Sequence, residues 1–252
     1  MRSGFGIDIG GSGIKGGPVD LDSGRLTADR LRVPTPAPST PAAIAEVVAR
    51  VVKHFGWIGP LGCTFPAVVR HGVVRTAANV DRAWIGTDIE ELLRSATGLL
   101  VTGVNDADAA GLAEVRYGAA RGENGVVILT TLGTGIGSAM VSGGQLVPNT
   151  ELGHLEVDGH DAEIRASDSA RERENLAWES WAKRLQKYYR RLEDLFWPNL
   201  FVVGGGVSKK ADRFLPLLDL RTEIVPAKLR NQAGIVGAAL LAAERSPTSP
   251  RS

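Results

Sequence analysis

The sequence has little cysteine, little net charge and no long apolar stretch. Cys63 is the one cysteine among 252 residues, which excludes an internal disulfide and a metal cage built from several thiolates. The formal net charge is +1, so any anion site must be local, and we expect no nucleic-acid partner. No segment reaches the ~18 uninterrupted apolar residues of a membrane span, and no charged leader precedes one. We therefore expect a soluble, cytoplasmic protein without a membrane partner.

Apolar runs and glycine turns indicate an α/β fold. Strands are predicted at residues 5–9, 14–21, 25–33, 61–67, 99–104, 125–132, 136–141, 200–203 and 223–226. Helices are predicted at residues 41–55 and 107–117, from about Ser208, at residues 235–244, and along a stripe of Trp178, Trp181, Leu185, Tyr188, Leu192, Leu195 and Phe196 that Pro198 ends. We expect one lobe of residues 1–106 joined by a closing helix 234–244, a second lobe of residues 107–233, and a disordered tail 245–252.

Three glycine-rich turns each follow an apolar strand. They are Gly10-Gly11-Ser12-Gly13, with Lys15 close behind, then Gly133-Thr134-Gly135, and Gly204-Gly205-Gly206. Glycine adopts positive φ at little cost and leaves backbone N–H groups accessible, so such turns can bind phosphate. A tight hairpin explains any one of them as well. A dinucleotide-binding turn fits poorly, because the first turn leads into a second strand and not into a helix.

Two aspartates lie at strand ends. Asp8 falls inside an apolar run, where a carboxylate is costly unless it is paired or bound to a metal; a turn-capping role is the alternative. Asp106 ends an apolar strand and begins a helix, which suits either a rigidly held general base or a simple helix cap.

The motifs, taken in order, resemble those of the ROK family of bacterial sugar kinases and repressors. The resemblance rests on Asp8–Lys15, Asn105–Ala110, Leu132–Gly137, Glu151–His154 and Gly204–Gly206, and runs from about residue 5 to 243. It implies an actin-like (ribonuclease H-like) α/β fold with two lobes around a cleft. It also implies a kinase that phosphorylates a sugar hydroxyl, and a homodimer.

The resemblance implies a role for each motif. Asp106 is the expected catalytic base. The expected sugar ligands are Asn79, Asn105, Asp106, Glu151, His154 and Glu163, with Glu156 as the alternative to Glu163. The expected donor-binding residues are Asp8, Gly10, Gly11, Ser12, Gly13, Lys15, Gly133, Thr134, Gly135, Gly205, Gly206 and Lys209. Asp8 is expected to contact Mg²⁺, directly or through water. Lys15 serves the phosphates or is a surface residue.

The chain departs from most of the family at one metal site. Related kinases hold a structural zinc with three cysteines and the histidine of the sugar motif, whereas this chain has His160-Asp161-Ala162-Glu163 in that region. We therefore expect no zinc, with His154 free to bind sugar. Ala67 replaces a glycine that is usual in related proteins and expected near the sugar, which bears on sugar affinity or on the choice between glucose and mannose.

These departures resemble the actinobacterial polyphosphate-dependent glucokinase branch of the family. Glucose is then the acceptor, and inorganic polyphosphate, with ATP as a second donor, supplies the phosphoryl group. A polyanion favours a track of cations. Candidates near the third glycine turn are Lys209, Lys210, Arg213, Lys228 and Arg230; Lys183, Lys187, Arg190 and Arg191 form another strip, which is typical of a solvated helix face.

Two other functions fit the same family. One is an ATP-dependent glucokinase or glucomannokinase without polyphosphate activity. The other is a sugar-responsive repressor, which would carry a helix-turn-helix before the first glycine turn. Only seven residues precede Asp8, and no basic recognition helix is evident, so we expect the kinase.

Overall fold

The computed structural model describes residues 2–77 and 80–245. The chain forms two compact units, one of residues up to Ala113 together with those from Gln232 onward, the other of Glu114–Asn231. Asn79, predicted to contact the sugar, lies outside the described residues. Of the predicted disordered tail 245–252, Arg245 is helical and residues 246–252 lie outside the described residues. Within the described part, no helix combines the length and apolar character that a bilayer crossing requires.

The elements follow one another along the chain in mixed α/β order. The strands are β1 Ser3–Ile9, β2 Ile14–Asp20, β3 Arg25–Leu26, β4 Leu31–Val33, β5 Leu61–Phe65, β6 Val69–Arg70, β7 Val73–Val74, β8 Val101–Asn105, β9 Val126–Leu132, β10 Ile136–Ser142, β11 Gln145–Val147, β12 Glu156–Val157, β13 His160–Asp161, β14 Leu200–Gly204 and β15 Glu223–Pro226. The helices are α1 Pro41–Phe55, α2 Ile89–Thr97, α3 Asp106–Tyr117, α4 Ala162–Ala166, α5 Asp168–Arg173, α6 Trp178–Phe196 and α7 Ala233–Arg245.

The sheet of the first unit has the order β3-β2-β1-β5-β8, and β4 also pairs with β2. β1, β5 and β8 run parallel, so their carboxyl ends lie at one edge. Asp8 is level with Thr64 in this register, and Phe65 is level with Asn105. The topology therefore brings the two aspartate motifs predicted from the sequence to the same sheet edge.

Helix α7 packs unusually closely on this sheet because both surfaces use small residues. A Cβ atom built on Gly6 would overlap the carbonyl oxygen of Ile235, and one on Gly62 would overlap that of Ala238. Gly237 gives the same close approach to Ala109 of α3. These glycines let α7 and α3 fix the backbone around the sheet edge that carries Asp8 and Asp106.

The second unit is built on a sheet of order β11-β10-β9-β14-β15 with α6 packed on it. Trp181, Tyr188 and Tyr189 are fully buried on α6, and the Tyr189 hydroxyl lies 2.6 Å from Thr130 Oγ1 on β9. Leu195, predicted on the buried stripe, is 47% exposed. Glu193 takes the inward position on that last turn because its carboxylate accepts hydrogen bonds from Thr222 and Arg221.

Several predicted elements differ from the structure. The single strand predicted over residues 25–33 is two short strands, β3 and β4. Pro18 explains the break: its carbonyl accepts from Thr27 on that side of β2, and its missing N–H would have faced the same side. The helix predicted from Ser208 is a 3₁₀ segment, Gly206–Arg213, interrupted at Lys210 with φ −114° and ψ 25°. Helix α1 has the predicted bounds, with Thr40 as its N-cap.

Candidate functional site

The first glycine turn connects β1 to β2 and is held from outside by two side chains. Gly10 N–H donates to Gly13 O at 3.2 Å, which closes the turn. Arg32 donates to the Ser12 carbonyl at 3.0 Å, and the Thr35 hydroxyl donates to the Gly10 carbonyl. Carbonyl oxygens repel phosphate, so occupying two of them favours an anion beside this turn.

The second glycine turn, between β9 and β10, is pinned in the same way. Gly133 N–H donates to Gly135 O at 3.0 Å. Ser169 at the start of α5 donates from its N–H to the Gly133 carbonyl at 3.0 Å and from its hydroxyl to the Thr134 carbonyl at 2.6 Å. Thr134 itself is exposed. Ser169, which the sequence analysis missed, therefore occupies both outer carbonyls of the turn.

The third turn follows β14 and rests on the end of β9. Gly205 has φ 83°, and a Cβ atom there would overlap the Leu132 carbonyl, so this position requires glycine. The Ser208 hydroxyl donates to the Gly205 carbonyl at 2.8 Å. Gly10, Gly11, Gly13, Gly133, Gly135 and Gly206 do not adopt positive φ, so conformational freedom is not what requires glycine at these positions. Space is the constraint at Gly13, where a Cβ would lie 2.8 Å from Arg32 Nε.

Asp8 is a half-buried carboxylate with a partner on each oxygen. Thr64 donates its hydroxyl to Oδ1 at 2.9 Å, and the Lys15 ammonium lies 3.4 Å from Oδ2. Lys15 is only 24% exposed, so it belongs to this group and is not a free surface residue. Gly234 at the start of α7 approaches Oδ1, with a built Cβ at 3.2 Å. A hard oxygen ligand beside the first glycine turn fits a contact to Mg²⁺ through water.

Asn105 and Asp106 divide two tasks at the junction of β8 and α3. Asn105 is buried; its Oδ1 accepts from the N–H groups of Ala107 and Asp108 at 2.9 and 3.1 Å, which caps α3. Its amide nitrogen donates to the Ala67 carbonyl at 3.1 Å. Asp106 Oδ1 accepts from Ala107 N–H at 2.8 Å, and the side chain is half-buried. The neighbour supplies the cap, so Asp106 need not, which supports the general-base interpretation.

Glu151, His154 and Glu163 are brought together in the second unit. The His154 Nε2 atom lies 4.0 Å from Glu151 Oε2, and its Nδ1 atom lies 3.9 Å from Glu163 Oε1. Glu163 Oε2 accepts from the N–H of Ile136 at 3.1 Å, which ties it to the second glycine turn. Glu156, the alternative to Glu163, is exposed on β12 and has no recorded contact with His154 among the described residues.

The cluster is electrostatically coupled. The hydrogen bond that His154 donates to Asp161 raises the pKa of His154; partial burial opposes this shift, and the carboxylates of Glu163, Asp161 and Glu151 add to it. Partial burial raises the pKa of Glu151, with His154 acting against the shift and Glu163 reinforcing it. A mixture of carboxylate acceptors and an imidazole suits paired contacts to sugar hydroxyls.

A cysteine-held zinc does not fit the second unit. Cys63 is the one cysteine of the sequence, and it is buried in β5 of the first unit. Within the described residues, His154, Asp161 and Glu163 place one possible ligand atom each within 4.8 Å of one another. Nδ1 of the imidazole already lies 2.8 Å from Asp161, so a metal would have to replace that hydrogen bond. The absence of zinc stays a prediction.

The members of the two predicted basic groups differ in their ion pairing. Lys209 and Lys228 are exposed and have no ion pair within the described residues; Lys228 follows Ala227, whose N–H donates to Val203 O beside the third turn. On α6, Lys187 pairs with Asp158, and Arg190 lies 3.8 Å from Asp219. Arg213, in the group beside the third turn, lies 3.9 Å from Asp212, so each group is partly neutralised, whereas Lys209 and Lys228 keep an uncompensated charge among the described residues.

Comparison with known proteins accounts for these motifs. The model of the ROK family matches residues 4–166. A polyphosphate glucokinase of Mycobacterium tuberculosis is 57% identical over 241 residues, covering 95% of this chain and 91% of the relative. A glucokinase of Streptomyces coelicolor is 26% identical, covering 96% of this chain and 98% of the relative.

A solved structure supports the fold assignment. The crystal structure of an inorganic polyphosphate/ATP-glucomannokinase from Arthrobacter sp. strain KM has a TM-score of 0.92 and 56% identity, covering 98% of this chain and 100% of that one. The expected actin-like α/β fold is confirmed. The family match over most of the chain and the likeness to the mycobacterial relative agree: this protein belongs to the ROK family.

Proposed function

We propose that this protein is a polyphosphate-dependent glucokinase, which transfers a phosphoryl group from inorganic polyphosphate, with ATP as a second donor, to the 6-hydroxyl of glucose. The observation that carries the proposal is the 57% identity to the mycobacterial polyphosphate glucokinase over 95% of the chain. The pinned glycine turns, Asp106 and the Glu151–His154–Glu163 cluster are groups that such a reaction can use, and they support the same proposal.

Each group has a separate part in the reaction. Asp106 accepts the proton of the 6-hydroxyl as that oxygen attacks the terminal phosphorus atom, and the bond from this phosphorus to the bridging oxygen breaks, so that the donor shortened by one phosphate leaves. Glu151, His154 and Glu163 bind other sugar hydroxyls, and the remaining N–H of the Asn105 amide is available to the sugar. The glycine turns and Lys15 hold the donor phosphates. Mg²⁺, when bound near Asp8 through water, neutralises charge on the phosphate oxygens.

Lys209 and Lys228 are the proposed contacts for polyphosphate beyond the transferred group. Both are cations without an ion pair in the described part of the chain, beside the third glycine turn. A polyanion gains most from such unneutralised charges, since it then releases its own counterions. We also include in the proposal the homodimer, which light scattering tests, and the cytoplasmic location expected from the family.

One assay tests the donor assignment. Initial rates of glucose 6-phosphate formation are measured with Mg²⁺ and either long-chain polyphosphate or ATP at matched phosphoryl concentrations. We expect a clear rate with polyphosphate. A rate with ATP alone would reject polyphosphate and leave the ATP-dependent glucokinase, the nearest alternative.

Acceptance of mannose is a second possibility that one comparison favours, because the Arthrobacter protein at 56% identity is a glucomannokinase. In our proposal Ala67 affects the choice between glucose and mannose, because its carbonyl accepts a hydrogen bond from the amide of Asn105, a proposed sugar ligand. Replacing Ala67 by Gly and comparing kcat/KM for the two sugars measures its effect. An unchanged ratio would separate Ala67 from sugar choice.

A further inference from the structure

Asp161 is the one residue of the His154 cluster to which the sequence analysis assigns no role. Its Oδ2 lies 2.8 Å from His154 Nδ1, which is the imidazole's closest contact and its one hydrogen bond among the described residues. Glu151 and Glu163 lie farther from the ring, at 4.0 and 3.9 Å. The orientation of the imidazole therefore depends on Asp161.

The Asp161 carboxylate is itself held in place. Asp161 ends β13 and is the N-cap of α4, where its Oδ1 accepts from the N–H of Glu163 at 3.0 Å. One oxygen thus fixes the start of the helix that carries Glu163, and the other fixes His154. The same carboxylate therefore positions both proposed sugar ligands, His154 and Glu163.

The hydrogen bond also decides which ring nitrogen carries the proton. Asp161 is an acceptor, so Nδ1 donates to it, and in the neutral ring Nε2 is then the lone-pair acceptor on the side of Glu151. A carboxylate behind a histidine fixes the ring in this way in many sites where the other nitrogen contacts a ligand.

We propose that Asp161 is a positioning residue of the sugar site: it holds His154 with Nε2 directed to the sugar and aligns Glu163 through the same carboxylate. The inference rests on the proposed function, because it requires His154 to contact glucose. Asp161 touches neither reactant and acts through the other two side chains.

The test uses two isosteric variants of one hairpin. In Asp161→Asn, the amide oxygen can still accept from Glu163 N–H, while its NH₂ group must donate to Nδ1, so the proton moves to Nε2. Asp158→Asn is the matched control. Asp158 lies in the same hairpin and pairs with Lys187, not with His154, and its φ of 52° suits asparagine.

We expect Asp161→Asn to raise the KM for glucose about tenfold, the size of one well-formed hydrogen bond. The KM for polyphosphate and the unfolding temperature should stay unchanged, and kcat should stay within about twofold of the parent value. Asp158→Asn should match the parent protein in all of these quantities. In a His154→Ala background, Asp161→Asn should raise the glucose KM no further, because the residue it positions is gone.

The possible outcomes separate the two proposals. A His154→Ala variant with a normal glucose KM would reject the proposed sugar site. A raised KM in His154→Ala together with a normal KM in Asp161→Asn would reject the positioning role alone. Additive effects in the double variant would also reject it. A stoichiometric divalent metal in the purified protein, whose chelation reproduces the Asp161→Asn kinetics, would replace the hydrogen bond by metal ligation.

Discussion

Glu163 lies directly over the backbone of Gly135, so that a Cβ atom at position 135 would overlap Glu163 Oε2. The second glycine turn and the sugar cluster are thus in van der Waals contact within the second unit. The contact is with the flexible end of the glutamate side chain, so a methyl group at residue 135 would displace the carboxylate without unfolding the protein. We expect Gly135→Ala to raise the glucose KM about tenfold, through loss of the Glu163 position.

Gly133 provides the control for that variant. A Cβ atom at Gly133 would meet no atom within 4 Å, and its φ is not positive, so alanine fits there. Gly133→Ala should leave the glucose KM unchanged and affect only the donor KM. Steady-state kinetics with each substrate varied in turn measures both. Equal effects of the two variants on glucose would contradict the Gly135–Glu163 relationship.

The sequence predicted the strand ends and glycine turns well because their signals are local. An apolar run followed by glycine or aspartate places Asp8, Asp106 and Gly205 at strand ends without knowledge of the tertiary fold. The paired and pinned groups were not predicted. Ser169, Thr64 and Asp161 act through partners from 7 to 56 residues away, and no local pattern records such contacts.

The glycines show most clearly where the structure adds to the interpretation of the sequence. Conformational freedom and the missing side chain are both reasons for glycine in these turns, and only Gly205 among their site residues has positive φ. Gly13 and Gly135 are small because Arg32 and Glu163 occupy the space of a side chain. Close approach depends on the tertiary fold, so a single sequence cannot distinguish it from a turn requirement.

Asp106→Asn tests the proposed base without disturbing the helix. Asn105 Oδ1 accepts hydrogen bonds from the N–H groups of Ala107 and Asp108, so α3 keeps its cap in this variant. We therefore expect the unfolding temperature to change by less than about 2 °C. Turnover should fall by ~10³-fold, within the range for loss of a positioned base. Thermal denaturation and kcat on the same preparation decide it; near-normal turnover would remove Asp106 from the mechanism.

Lys209 and Lys228 have no ion pair in the described part of the chain, whereas Lys187 and Arg190 of α6 do, and this difference predicts which cations bind polyphosphate. Replacing Lys209 and Lys228 by alanine should raise the polyphosphate KM. It should also reduce the slope of log KM against log salt concentration by about 0.7 for each lost contact, the value for a flexible, single-stranded polyanion. The same replacement of Lys187 and Arg190, the ion-paired cations of α6, is the matched control and should change neither quantity. The KM for polyphosphate measured across a salt series gives both; a larger effect from α6 would reverse the assignment.

Glu193 predicts how stability depends on pH. It is 2% exposed, and burial by itself raises the pKa of its carboxyl group, but hydrogen bonds from Thr222 and Arg221 outweigh burial and leave the pKa lowered. A lowered pKa in the folded state means stability that is present above the unfolded value of 4.5 and is lost as pH falls through the folded value. Glu193→Gln should cost about 1–3 kcal/mol at pH 7, the range for a buried hydrogen-bonded charge.

The difference between Glu193→Gln and the parent protein should narrow below pH ~4, where the parent carboxylate also becomes protonated. Glu179, exposed on the first turn of α6, is the control on the same helix, and Glu179→Gln should match the parent at every pH. Urea denaturation of the three proteins between about pH 3 and 8, a range that includes the ordinary glutamate pKa, gives the free energies of unfolding. If Glu193→Gln lowers the free energy of unfolding by the same amount down to the lowest pH, then the shape and hydrogen bonds of Glu193, and not its charge, stabilise the end of α6.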